Sequence, residues 1–239
     1  MLSYSLRALL DFFLPRFCLF CHAPLSLEVE HLICPDCWKE LPLITTPYCS
    51  CCGAPFKGAV GPEHLCQTCT IKPPPFDRAR AAARYEGSIR DAIHRLKYQR
   101  QLLQAEHLRQ VLTVSEAASV VQDADLMLPV PLHPRRLRRR GFNQALLLGQ
   151  AFPAIPLRTD VLLRQRWTVP QVNLSPQERQ ANVKGAFAVA KPDAIIGRSV
   201  LLLDDVYTTG ATVKECTLAL RRAGAHTVTV LTVARVGYA

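Results

Sequence analysis

The stretch Val200–Thr212 reads VLLLDDVYTTGAT, and its reading decides the fold. Val200 to Leu203 is a short, continuous apolar run bounded by polar residues, the pattern of a strand buried on both faces. Two carboxylates, Asp204 and Asp205, stand at its end. A turn of small residues follows, and Val213 to Ala223 then carry a helical pattern. Strand, turn and helix in this order build half of a parallel α/β unit, and ligands on such sheets bind at the carboxyl ends of strands. The helix start offers backbone N–H groups and a positive dipole end to an anion. Thr208, Thr209 and Thr212 add hydroxyls, while Gly210 and Ala211 let the backbone approach closely. Asp204 and Asp205 suit ribose hydroxyls, or a magnesium ion held through them. A plainer reading, an acidic strand end with a Thr212–Glu215 capping box, explains the helix start but not the whole run. Neither G-x-x-x-x-G-K-[ST] nor G-x-G-x-x-G occurs, which argues against a nucleotide hydrolase or a dinucleotide site.

Working outward, strand and helix patterns alternate. Residues 78–85 read as a strand. Ser88 to Leu96 reads as an amphipathic helix with a Ser88–Asp91 capping box, and residues 102–118 as a second helix. Residues 125–130 form a short apolar strand, 142–152 a helix and 227–233 a terminal strand. Gly224 stands where a helix C-terminal glycine belongs. The expected fold class is therefore α/β with a parallel sheet. Pro73, Pro74 and Pro75 form a stiff boundary between residues 1–72 and residues 73–239.

The chain has 239 residues, of which 49% are hydrophobic, enough for a substantial core and for one or two domains. No apolar run approaches the length of a membrane span. Net charge is +10, unevenly spread: residues 1–70 carry −2, residues 71–140 carry +7 and residues 141–239 carry +5. Arginines number 22 against 7 lysines, and arginine's planar fork suits phosphate or carboxylate. The expected partners are polyanions or phosphorylated small molecules.

Nine of the ten cysteines lie between Cys18 and Cys69. Cys18/Cys21 and Cys34/Cys37 are two C-x-x-C pairs. Cys49/Cys52 and Cys66/Cys69 repeat them at offsets of 31, 31, 32 and 32 residues, a tandem duplication. Each C-x-x-C grips a metal from one tight turn, and two turns complete the tetrahedron that zinc prefers, so the segment reads as two zinc ribbons. The spacing of the first ribbon selects Cys52 over Cys51 as a ligand. His22, His31 and His64 read as surface histidines, because thiolates already fill both sites. Cys216 falls in a helix and reads as a small core residue.

The first 17 residues lack an apolar core and a cleavage site of secretory kind, so the thiols are expected to stay reduced in the cytoplasm. Leu2, Leu9, Leu10, Phe12, Phe13, Leu14 and Phe17 read as a helix packing on the next domain, with peripheral membrane contact as the minor reading.

The Val200–Thr212 run resembles the phosphoribosyl pyrophosphate (PRPP) motif of type I phosphoribosyltransferases. Two further segments narrow the likeness: residues 128–144 (LPVPLHPRRLRRRGFNQ) and residues 171–187 (QVNLSPQERQANVKGAF). Together with the double ribbon they resemble the ComF family, competence proteins involved in DNA uptake and use. The resemblance implies a type I phosphoribosyltransferase sheet, with Asp204 and Asp205 on the ribose diol and Thr208 to Thr212 around the 5-phosphate. Magnesium would accompany the pyrophosphate. Arginines 135, 136, 138, 139 and 140 read as a pyrophosphate loop, with Arg139, Arg140 and Gly141 as its chief candidates. Arg179, in the polar segment 164–187, belongs to a candidate closing loop. Lys97 and Tyr98 end a helix that can approach the site. The expected activity is pentosyl transfer from PRPP to an unidentified acceptor. The alternatives are a PRPP sensor that holds single-stranded DNA, with Tyr98, Phe142 and Trp167 stacking bases, and a metal-held adaptor for DNA-uptake proteins.

Overall fold

The computed structural model describes residues 16–18, 20–25, 32–58, 61–169 and 174–237. The N-terminal helix, His31 and Gln171 to Asn173 of the sequence reading lie outside them. In chain order the elements are α1 (Pro35–Lys39), α2 (Gln67–Ile71), β1 (Arg78–Arg84), α3 (Gly87–Gln99), α4 (Leu103–Val114) and a 3-10 turn (Glu116–Val121). Then come β2 (Leu126–Pro129), α5 (Pro134–Arg140), α6 (Gln144–Gly149), β3 (Leu162–Arg164), α7 (Pro176–Val183), β4 (Phe187–Val189), a short 3-10 turn (Pro192–Ala194), β5 (Ser199–Tyr207), α8 (Ala211–Arg222) and β6 (Thr227–Arg235).

The main sheet has strand order β1-β6-β5-β2, all parallel, as the alternating pattern predicts. Leu201, Leu202, Leu203, Val228, Val230 and Leu231 are fully buried, because helices or ribbons cover both faces. On one face lie α3, α4, α6 and the first ribbon. Ile89, Ile93 and Leu96 of α3, spaced along one helical stripe, are fully buried there. On the other face lie α8, the β3–β4 pair and the second ribbon, whose cysteines are contiguous with the sheet core.

The ribbons also cover the β1 edge. Ile44 N donates to Ala82 O at 2.9 Å, Arg84 N to Pro42 O at 2.8 Å and Ala79 N to Cys51 O at 2.7 Å. An edge strand with unpaired backbone groups invites aggregation, and this one is paired. Gly53 permits the approach: its φ is +68°, and a Cβ there would stand 2.4 Å from Ala79 O.

Several local expectations are corrected. No side chain caps α3, whose N-cap is Glu86, so the Ser88–Asp91 box is absent. Residues 102–118 are not one helix. Ser115 is extended, with its hydroxyl donating to Leu112 O, and a 3-10 turn follows. The expected helix over 142–152 is confined to Gln144–Gly149, capped by Asn143. The helix after the glycine-containing turn starts at Ala211 with Gly210 at its N-cap. Glu215 accepts from Gly185 N instead of closing a box with Thr212.

Candidate functional site

β5 runs through both carboxylates to Tyr207, four residues beyond the expected end at Leu203. Asp204 pairs with Thr232, and Tyr207 with Arg235. Asp204 and Asp205 are therefore held in the sheet, 9% and 4% exposed. Alternation along the strand sends them to opposite faces. Lys97, in the last turn of α3, places Nζ 2.6 Å from Asp205 Oδ2. The contact is an ion pair rather than an aligned hydrogen bond, since that oxygen has no hydrogen-bond partner among the described residues. Burial alone would depress the Lys97 ammonium, but the charges of Asp205, Asp204 and Tyr85 raise it above the ordinary lysine value. Asp204 accepts from Asp205 N at 2.9 Å. Burial, then the neighbouring Asp205 charge, pushes the Asp204 carboxyl up to about 7.

The turn after Tyr207 has Gly210 at φ +74°, with Thr209 Oγ1 accepting from Ala211 N at 3.4 Å. A Cβ at Gly210 would stand 2.4 Å from Tyr207 Oη, so the buried tyrosine forms the floor of the turn. Arg235 lies over the Tyr207 ring at 4.5 Å.

The arginine run is a helix, not a loop. His133 caps α5 by accepting from Arg135 N, Pro134 occupies its first turn, and Gly141 ends it at φ +91°. Arg139 is exposed, and its carbonyl accepts from Arg100 Nη2 at 2.7 Å. Arg140 donates to Gln144 Oε1 at 2.7 Å and lies over the Tyr98 ring at 5.8 Å. Arg136 turns inward toward Trp167, 5.7 Å from its ring, and its Nη2 is buried without a hydrogen-bond partner among the described residues. Arg164, on β3, is 6% exposed. It donates to Thr168 Oγ1 and lies 5.2 Å from the Phe187 ring, while its Nε has no hydrogen-bond partner among the described residues. Burial first, then repulsion from Arg136, brings the Arg164 guanidinium down to about 10. A buried and a half-buried guanidinium with no carboxylate within salt-bridge distance among the described residues form a locus for an anion. Sequence reading ranked Arg139, Arg140 and Arg179 above them, because burial leaves no mark in an arginine run.

The described residues of the segment 164–187 carry the end of β3, α7 and the start of β4. β3 and β4 pair antiparallel, and α7 begins with a Ser175–Glu178 capping box. Arg179 donates to Leu174 O at 2.9 Å. Arg166 donates to the Asn182 and Lys184 carbonyls, and Asn182 to Val169 O. Of the aromatics considered for stacking, Tyr98 and Trp167 are exposed, whereas Phe142 packs on the core.

The ribbon cysteines converge in two sets, Cys18/Cys21/Cys34/Cys37 and Cys49/Cys52/Cys66/Cys69, with the sulfurs of each within 4.8 Å of one another. Cys21 and Cys34 sulfurs are 3.7 Å apart, and those of Cys52 and Cys66 are 3.8 Å apart. Tetrahedral thiolates at a Zn–S distance of about 2.3 Å would stand about 3.8 Å apart, so the donor sets fit zinc. Backbone N–H groups steady the sulfurs: Cys34 N and Cys66 N lie 3.3 Å from Cys18 Sγ and Cys49 Sγ. Burial opposes ionisation of both thiols, yet these and neighbouring N–H groups bring Cys18 down to about 6 and Cys49 to about 7. Cys51 stays outside the cluster, its carbonyl occupied by β1. His22 and His64 are exposed, and Cys216 is fully buried.

The molecule is thus a double zinc ribbon protein whose ribbons sit on a parallel α/β sheet. The family model "Double zinc ribbon domain" matches residues 9–70. DNA utilization protein YhgH of Escherichia coli K12 is 35% identical over 224 residues, 90% of this chain and 95% of that protein. Competence protein F of Haemophilus influenzae is 31% identical over 231 residues, 91% and 96% of the two chains. The chain belongs to this ComF family of competence and DNA-utilization proteins. Among solved structures, a purine phosphoribosyltransferase from Pyrococcus horikoshii resembles 57% of this chain and 87% of its own, at 14% identity and a TM-score of 0.34. No helix among the described residues is long and apolar enough to cross a membrane.

Proposed function

We propose that this protein binds magnesium-associated PRPP at the end of β5 and acts as a phosphoribosyltransferase-like component of DNA utilization. The observation that carries the reading is the fixed Asp204–Asp205 pair, with Lys97 on Asp205, followed directly by the Thr208–Thr212 turn at a helix start. In this reading Asp204 and Asp205 accept from the ribose diol, and the turn holds the 5-phosphate through backbone N–H groups and threonine hydroxyls. Arg136 and Arg164 face the pyrophosphate end, with Arg139, Arg140 and Gly141 at its rim and Arg179 on the closing segment. Magnesium would supply charge neutralisation to the departing pyrophosphate. In the transfer the anomeric C–O bond to pyrophosphate breaks, leaving oxocarbenium character on the sugar, and an acceptor nucleophile bonds to that carbon. The chain's share is orientation of the ribose and charge stabilisation by guanidiniums.

Residues 73–239 would form the ligand-binding unit, residues 1–72 its metal-held partner, and reduced thiols with a phosphoribosyl ligand suit the cytoplasm. Isothermal calorimetry of zinc-loaded protein with PRPP and magnesium tests the reading against the Asp204→Asn/Asp205→Asn variant. Heat in the wild type and none in the variant supports it; no heat in a folded, zinc-loaded wild type refutes it.

A second reading, PRPP-sensing contact with single-stranded DNA, draws on one observation. Exposed Tyr98 and Trp167 lie beside Arg140 and Arg136. Base stacking next to guanidiniums uses this chemistry. Affinity for an oligonucleotide must then fall steeply with salt.

A further inference from the structure

One side chain joins the second metal cluster to the ligand turn. Arg235, the last residue of β6, donates from Nη1 to Cys52 O at 2.7 Å, and its Nη2 lies 3.6 Å from Cys52 Sγ. The same guanidinium stacks 4.5 Å from the centroid of the Tyr207 ring. Tyr207 in turn floors the turn at Gly210 and is fixed from behind by Val236 N, which donates to its carbonyl at 2.9 Å. Cys52 and Tyr207 are both buried, so the contacts are shielded from water and locally strong. A cleft of about 120 Å³ lies between Cys66 and Cys69 on one side and Thr208 and Thr209 on the other. The two sites are therefore neighbours, 183 residues apart in sequence where Arg235 meets Cys52.

The Cys52 carbonyl holds its place because the knuckle does. Cys52 N and Cys66 N both point at Cys49 Sγ, at 3.4 Å and 3.3 Å. Without a cation to bridge them, nothing holds the four sulfurs within 4.8 Å of one another, and the knuckle loses its reason to stay closed. Arg235 would then lose its anchor, and Tyr207 the cation above its ring. Among the described residues the first cluster has no such link. Its cysteines pack on the α3–α4 face, where Leu32 N donates to Gln110 Oε1.

We propose that Arg235 is a positioning residue that makes phosphate binding at the Thr208–Thr212 turn depend on the metal in the second ribbon and not on that in the first. The inference rests on the reading of this turn as a phosphate site. Its geometric half, metal-dependent order of the turn, does not.

The experiment uses full-length zinc-loaded protein and two readouts: hydrogen exchange of residues 207–213 and calorimetry with ribose 5-phosphate. In Arg235→Ala, which keeps every cysteine, exchange of 207–213 should rise while 199–203 and 227–231 keep wild-type protection. Affinity for ribose 5-phosphate should fall about tenfold, the size of a lost buried cation–π contact. Arg235→Lys, which keeps the charge over the ring, should recover part of both. Cys52→Ser should reproduce Arg235→Ala, whereas Cys21→Ser, which opens the first cluster, should leave both readouts at wild type. Wild-type exchange of 207–213 in Arg235→Ala overturns the proposal. So does a uniform rise across β5 and β6, or an equal effect from Cys21→Ser. If Cys52→Ser fails to fold, Arg235→Ala and Cys21→Ser still decide. If wild type shows no heat with ribose 5-phosphate while exchange follows the expected pattern, the ligand reading fails and the link from metal to turn stands.

Discussion

Replacing Asp204 by asparagine should flatten the dependence of stability on pH. Asp204 is buried beside Asp205, and its carboxyl is pushed from 3.8 to about 7. In the unfolded chain it titrates near its ordinary value. Between these two values the folded protein holds a proton that the unfolded chain has released, so stability falls as pH rises through the window. From pH 5 to pH 8 this one group should remove about 3 kcal/mol from the wild type. The asparagine would carry no charge at any pH, so that slope should vanish in the variant. At pH 5 the exchange leaves an amide with one good partner, the Asp205 N–H, and should cost about 1–2 kcal/mol. At pH 8 the variant should match or exceed the wild type. Urea unfolding of zinc-loaded protein at both pH values measures this, and groups shared by the two proteins cancel in the comparison. Parallel pH profiles for wild type and Asp204→Asn would refute the reasoning that burial raises the Asp204 carboxyl.

Other outcomes follow from the same geometry. Lys97→Met should destabilise by about 3–5 kcal/mol, because it strands a buried Asp205 charge, and Lys97→Met with Asp205→Asn should recover most of that in urea unfolding. Arg164→Met should leave the urea midpoint unchanged or raised, since burial and Arg136 outweigh the distant charge of Asp204 and hold the guanidinium below its ordinary value, yet weaken pyrophosphate binding by calorimetry about tenfold or more. Gly210→Ala should cost about 1–3 kcal/mol through its positive φ and its clash with Tyr207, read as a fall in thermal midpoint. Chelation should expose residues 32–58 and 61–72 to protease before the sheet, because structural zinc contributes roughly 10–16 kcal/mol of apparent binding energy in zinc-finger peptides.

What the sequence carried locally, it carried well. A ligand pair at C-x-x-C spacing is set by one turn of backbone, so the repeat alone selects Cys52 over Cys51, and the clusters close on that choice. The buried apolar runs gave the parallel strands for the same reason. The ends were less legible. Leu203 marks where the hydrophobic pattern stops, but the ladder continues through Asp204 to Tyr207, because β6 offers partners as far as Arg235. Polarity shows which residues dislike burial; it does not show that a neighbouring strand and a lysine from another helix compensate them. The arginine run lacked apolar periodicity and so read as a loop. Arginine is nonetheless a good helix former, and His133 with Pro134 starts the helix that Gly141 ends.

The residues that sequence reading missed or left without a role share one property: their meaning lies in a distant partner. Lys97 matters through Asp205, Arg164 through its neighbours Arg136 and Asp204, and Arg235 through Cys52 and Tyr207 together. This bears on why acidic ribbons accompany a basic sheet. Each cluster of four thiolates around a zinc ion carries a formal charge of about −2. A surface meant to hold a polyanion would gain nothing from that charge. As a scaffold the second cluster gains from its cationic neighbour instead, because Arg235 offsets the thiolates and stacks on the tyrosine beneath the Gly210 turn. In the proposed reading the metal would shape the Thr208–Thr212 turn from behind while its negative charge stays covered. Arg80 is placed the same way on the β1 edge, donating to Ser50 O and lying 4.6 Å from the Tyr48 ring. Both arginines come from the sheet and both reach into the second ribbon, which makes that ribbon a wall of the sheet domain rather than an appendage to it.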